Sequence, residues 1–232
     1  MKRTLVTNDS FALILLVFFA LSIIGYNATV TYAEKPSYAL PSTINVSAKF
    51  LFFLHNYYVE TYGTDGDCKY YDLLNAFADS GFTVISEVRS GKIIPCDYAL
   101  KTVSQIKSLL DAGVPPENIT VAGHSKGGVI TLCVSSILGN PKVNFVVMAG
   151  CQIKPALAKY PDYTTLKGRF LSIYAASDSV AGSCDSTFSA ASKGISGTEI
   201  KLPSSAGHRL FFKPEKIWLD PVIDWIRQAQ PC

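Results

Sequence analysis

Apolar residues along this chain fall into short continuous runs, separated by segments in which they recur every three or four positions. Ala48 to His55 reads Ala-Lys-Phe-Leu-Phe-Phe-Leu-His, and such an unbroken run suits a strand covered on both faces. Phe82–Val88, Ile119–Ala122, Asn144–Ala149, Phe170–Ala175 and Glu199–Leu202 are the further strand candidates. Between them, Lys69–Ser80 carries Leu73, Leu74 and Phe77 at helical spacing and closes at Gly81. Cys96–Ala112 aligns Ala99, Val103, Ile106 and Leu110 as one stripe, which Gly113 and Pro115-Pro116 terminate. Gly128–Leu138 is apolar and of helix length, and a last helix presents Trp218, Val222 and Trp225 or Ile226. Strand and helix alternate from Ala48 to the end. Parallel strands need covering crossovers, so the pattern predicts a three-layer α/β domain with a mostly parallel central sheet.

The N-terminal part departs from this pattern. Lys2 and Arg3 precede an apolar run from Phe11 to Gly25, and a polar, small-residue stretch ends at Thr31-Tyr32-Ala33. Basic, apolar and small segments in that order read as a secretory signal peptide over residues 1–33, cleaved after Ala33, and so as export to the periplasm or the medium. The run is shorter than the roughly 20 residues of a spanning helix, so a membrane is expected as a partner only if this segment stays uncleaved. Residues 34–45, with Pro36 and Pro41, suit a leader into a single domain over 46–232.

Composition adds mainly exclusions. A chain that is 48% apolar and 17% charged is neither disordered nor fibrous. Losing residues 1–33 takes the formal charge from +3 to +2, and the remaining cations are scattered, so a nucleic-acid partner is not expected. The six cysteines (Cys68, Cys96, Cys133, Cys151, Cys184, Cys232) lack zinc-ligand spacing, and disulfides fit export better than metal. The expected topology puts Cys68 and Cys96 in neighbouring loops and Cys151 near Cys184, and leaves Cys133 as a free thiol buried in a helix.

The candidate chemistry centres on Gly123-His124-Ser125-Lys126-Gly127-Gly128, where a strand runs into a helix with no linker. This G-x-S-x-G has the context of a nucleophile elbow, with Gly123 and Gly127 giving strand and helix room to approach. A serine nucleophile needs a base, an acid to orient it, and donors for an oxyanion. His208, in Ala206-Gly207-His208-Arg209, lies between the last strand and the last helix. Asp178 follows the penultimate strand, where an aspartate can also cap a turn. His124 sits inside the elbow and His55 ends the first strand, where its ring can support the loop by packing and hydrogen bonding.

With Ser125, Asp178 and His208 in this order, the segment from Ala48 to the final helix resembles a small α/β-hydrolase. More particularly it is similar to a group of small, poorly characterised bacterial α/β-hydrolase-like proteins, through Gly81-Phe82-Thr83-Val84-Ile85-Ser86-Glu87-Val88-Arg89, Ser125-Lys126-Gly127-Gly128 and Gly207-His208-Arg209-Leu210-Phe211-Phe212. The resemblance implies the α/β-hydrolase fold; too few residues separate the late strands for a large lid, and Gln152–Gly168 is the one stretch expected to cover the site. The resemblance also implies hydrolysis of a small-molecule carboxylic ester or related acyl substrate through an acyl-enzyme, with neither metal nor organic cofactor. The oxyanion would be held by the N–H of Lys126 and a second from the Asn56-Tyr57 loop. Many members carry His-Gly there, whereas Asn56 follows His55 in this chain, and losing one donor costs on the order of 3 kcal/mol in the transition state.

His55, Tyr58 and His124 are the candidate substrate contacts. Tyr57, Tyr58, Tyr62, Tyr70 and Tyr71 either rim the pocket or pack the loop. The Lys126 side chain either adds positive potential or is merely solvated. A peptidase or thioesterase on the same fold, and a catalytically silent binding protein, are the rival readings.

Overall fold

The computed structural model describes residues 38–153, 160–191 and 194–228. Its strands are β1 (Phe50–Leu54), β2 (Thr83–Ile85), β3 (Ile119–His124), β4 (Asn144–Met148), β5 (Gly168–Ala175) and β6 (Ile195–Leu202). They form one sheet in the order β2-β1-β3-β4-β5-β6, and every pairing is parallel. β1, β3 and β4 are buried at every position. Along β1, Phe50, Phe52 and Leu54 enter one apolar core while Leu51 and Phe53 enter the other, the period-two alternation of a strand between two layers.

The helices are α1 (Tyr57–Tyr62), α2 (Tyr70–Asp79), α3 (Pro95–Asp111), α4 (Lys126–Leu138), α5 (Asp185–Ala191) and α6 (Lys216–Arg227). Leu73, Leu74 and Phe77 of α2 share one core with Trp218, Val222, Trp225 and Ile226 of α6. Ala99, Val103 and Ile106 of α3 share the other with Ile130, Leu132 and Val134 of α4. Helices thus cover both faces of the sheet, which is the three-layer architecture the alternation predicts.

Strand order also places the site. The chain steps outward from β1 to β2, then passes back over β1 to β3, so the direction of connection reverses between β1 and β3. Open α/β sheets bind ligands beyond the carboxyl ends of their strands at such a reversal. There β1 ends at His55-Asn56 and β3 runs into Ser125.

The structure departs from the sequence reading where the local signal is weak. α1 carries a single buried residue, Val59, and α5 (Asp-Ser-Thr-Phe-Ser-Ala-Ala) has no apolar stripe, so neither shows helical periodicity. β2 is shorter than expected because the chain turns away after Ile85, and the N–H of Ser86 bonds the carbonyl of Tyr38 at 2.8 Å. β6 starts at Ile195 rather than Glu199, since its pairing with β5 begins at Gly168. Residues 38–49 hold no helix or strand, and Tyr38, Leu40, Ile44 and Ala48 pack against the two cores.

The cysteine expectations need correction. α3 begins at Pro95, so Cys96 is not in a loop beside Cys68 but on the first turn of a helix packed along α4. It is bonded there to Cys133, with Cα atoms 5.0 Å apart, and Cys133 is therefore not a free thiol. Among the described residues the free cysteine is Cys68, which is buried, and burial pushes the pKa of its thiol upward. Cys151 and Cys184 do form a pair, 5.2 Å between Cα atoms. Cys232 and residues 1–33, the segment expected to be a signal peptide, lie outside the described residues.

Candidate active site

Ser125 sits between β3 and α4 at φ 56° and ψ −119°, a conformation that non-glycine residues rarely adopt. Its neighbours make this possible. A Cβ on Gly123 would run into the backbone of Gly127, and one on Gly127 into the carbonyls of Leu54 and His55. Only glycine lets the first turn of α4 approach β3 and the end of β1 so closely. The Ser125 N–H bonds the Met148 carbonyl at 2.9 Å, which fixes the turn to β4.

His208 lies in the 3-10 turn Gly207–Phe212 that follows β6. Its Nε2 is 2.7 Å from Ser125 Oγ, and its Nδ1 is 2.9 Å from Asp178 Oδ2. Asp178, in the loop after β5, has a fully buried carboxylate whose Oδ1 accepts the N–H groups of Val180 at 2.8 Å and Ala181 at 2.9 Å. Burial alone raises the pKa of this carboxyl. The bonds from His208 and from the two backbone N–H groups outweigh it and hold the pKa below the ordinary value, so Asp178 remains an anion facing the imidazole. Ser177, which the sequence reading did not single out, joins the two loops: its Oγ donates to the Ser204 carbonyl at 2.7 Å and accepts the Gly207 N–H at 3.1 Å.

His55 and His124 occupy different positions from those expected of substrate contacts, since both rings are buried and every ring nitrogen already has a protein partner. His55 Nε2 accepts the backbone N–H of Arg89 at 2.8 Å, which leaves Nδ1 to donate to the Asn56 carbonyl at 2.8 Å. Asn56 Oδ1 accepts the Val59 N–H at 3.0 Å and caps α1, so its amide nitrogen faces His124 Nδ1, 2.9 Å away. His124 Nε2 then donates to the His208 carbonyl at 3.0 Å. Burial, reinforced by the Arg89 charge, lowers the pKa of His55 to about 3. Burial, reinforced by His208, likewise takes His124 well below its ordinary value. Both rings are therefore neutral near pH 7 and hydrogen-bonded within the protein.

The loop expected to supply an oxyanion donor shows a second difference. Asn56 adopts φ −77° and ψ 176°, ordinary extended backbone, so the missing glycine demands no unusual conformation. Lys126 and Tyr57 are the first residues of α4 and α1, where a backbone N–H has no carbonyl within its own helix to bond. The Lys126 side chain is not solvated: it is buried, its Nζ 2.6 Å from Glu60 Oε1 and 5.6 Å from the centre of the Tyr57 ring. Tyr57 and Tyr62 are exposed, Tyr70 is in the core, and Tyr58 packs on Tyr62 and Phe212. Among the described residues, no group of three or more His, Cys, Asp or Glu side chains could hold a metal ion.

No protein-family model and no curated protein sequence matches the chain. Solved structures do. One is a protein of unknown function from Agrobacterium tumefaciens whose proposed class is α/β-hydrolase. It is 21% identical, with a TM-score of 0.58, over 81% of this chain and 88% of its own. SOBER1 of Arabidopsis thaliana is 14% identical at a TM-score of 0.52, covering 79% of this chain and 99% of its own. Esterase PE8 is 16% identical at a TM-score of 0.51, covering 83% and 99%. At these identities the likeness concerns the backbone, and with the parallel sheet and its order it establishes that the chain has the α/β-hydrolase fold.

Proposed function

We propose that this protein is a serine hydrolase that cleaves a carboxylic ester or related acyl bond of a small substrate through an acyl-enzyme. The observation that carries the reading is the continuous line Ser125 Oγ, His208 Nε2, His208 Nδ1, Asp178 Oδ2, with steps of 2.7 and 2.9 Å across the ring. His208 takes the proton from Ser125 as the hydroxyl oxygen attacks the carbonyl carbon, and returns it to the leaving group as the tetrahedral species collapses. Asp178 holds the ring in the tautomer with Nδ1 protonated and stabilises the imidazolium. The N–H of Lys126, with that of Asn56 or Tyr57, receives the negative oxygen. Water activated by the same His208 then releases the acid.

An ester is favoured as the substrate class because a structurally similar protein, PE8, is an esterase. Two disulfides support work in an oxidising compartment, as does the signal-like order of residues 1–33. The reading is tested by turnover of short-chain p-nitrophenyl esters. Wild type should hydrolyse at least one of them, whereas Ser125→Ala and His208→Ala should not exceed the rate of the buffer. Equal rates for wild type and Ser125→Ala would end it.

A further inference from the structure

Behind the candidate oxyanion donors lies a group of buried charges that the reaction scheme does not itself require. The side chains of Glu60, Arg89 and Lys126 are 2%, 1% and 10% exposed. Glu60 Oε1 is 2.6 Å from Lys126 Nζ, and Glu60 Oε2 is 3.8 Å from Arg89 Nε. Placing such charges in the interior is expensive, and apolar residues of similar volume commonly give a fold at least as stable. The cluster is also poorly optimised for stability: two cations face one carboxylate, and Glu60 Oε2, Arg89 Nε and Arg89 Nη1 have no hydrogen-bond partner among the described residues.

Its location suggests what it does instead. Glu60 is in the first turn of α1, which begins with Tyr57. Lys126 is the residue whose backbone N–H follows the nucleophile, and its ammonium group also lies over the Tyr57 ring. Arg89 Nη2 donates to the carbonyl of His55, the residue before the Asn56-Tyr57 loop. The three side chains therefore fasten together the end of β1, the start of α1 and the start of α4, the three segments that carry every candidate donor.

We propose that Glu60 is a positioning residue of the oxyanion hole, its carboxylate shared between Lys126 and Arg89 so that the donor of the loop after β1 is held at a fixed spacing from the Lys126 N–H. The Lys126 ammonium, on the residue that carries one of the two candidate donors, is itself buried, and a charge fixed in such surroundings acts more strongly than one in water. The inference rests on the reading of Ser125 as nucleophile.

The test compares wild type, Glu60→Gln, Glu60→Asp and Lys126→Met, the last keeping the backbone donor while removing the ammonium. The measurements are the second-order rate of inactivation by a fluorophosphonate, kcat and KM for p-nitrophenyl acetate, and the thermal melting curve. Glu60→Gln and Lys126→Met should react about tenfold more slowly or worse, through kcat with KM held within about twofold. Glu60→Asp should recover part of that loss, and melting should stay cooperative. If Glu60→Gln does not fold, Lys126→Met decides alone. Wild-type kcat and inactivation rate in folded Glu60→Gln or Lys126→Met overturn this inference while leaving the nucleophile reading intact. A folded wild type that is neither inactivated nor active overturns both.

Discussion

Asp178 and His55 each stand just beyond the carboxyl end of a strand, and each hydrogen-bonds a neighbouring segment of the candidate site, yet their loops are held by different means. The loop after β5 relies on its own backbone: two N–H groups bond Asp178, Ser177 ties it to the His208 turn, and Cys184 is joined covalently to Cys151 beyond β4. The loop after β1 relies on groups brought from elsewhere: the backbone N–H and guanidinium of Arg89 from beyond β2, and the side chains of His124 from the elbow, Lys126 from α4 and Glu60 from α1. Orientation by a single carboxylate concentrates the chemistry in one residue. Orientation by a network spreads it over several, each of smaller individual effect.

That contrast predicts an order of effects. Asp178→Asn should lower ester turnover by about 10⁴-fold with the fold retained by circular dichroism, because the amide favours the wrong tautomer of His208. No single side-chain substitution in the network after β1 should match it, and one that did would erase the distinction. Replacing both Cys151 and Cys184 by Ala removes a link across a sequence separation of 33. Urea unfolding should then show a loss of about 3–4 kcal/mol. His124→Phe strips a partner from Asn56 and another from the His208 carbonyl, and should cost about 1–3 kcal/mol in the same assay.

The last prediction concerns pH. Near pH 6.5 the unfolded chain takes up a proton on His55 that the folded chain refuses until about pH 3. Below pH 6.5 the unfolded state therefore binds more protons, and stability falls as the pH falls, by about 1.4 kcal/mol per pH unit for this ring. His124 acts in the same direction. Denaturant unfolding at a series of pH values checks the slope, and His55→Phe should flatten it.

The same contrast explains what could be read from the chain alone. Ser125, Asp178 and His208 are legible as candidates in sequence because each falls just after a strand and each is a residue type that the proposed chemistry would use. The sheet was visible because its strands are buried on both faces and read as unbroken apolar runs. The network after β1 was not visible, since Glu60 and Arg89 look like ordinary surface charges until folding brings them within reach of Lys126. One signal was available: Asn56 is an N-cap residue type and Glu60 is an acidic residue within the following turn, a helix start that the tyrosines obscured. The Cys96–Cys133 bond depends on two helices lying side by side, which no local spacing reports.

The central claim is that His208 makes Ser125 a nucleophile, and peptide mapping by mass spectrometry after fluorophosphonate treatment tests it most directly. The account predicts one adduct, on the peptide containing Ser125, in wild type and none in folded His208→Ala. A folded wild-type protein without an adduct, or with its adduct on another residue, would contradict it.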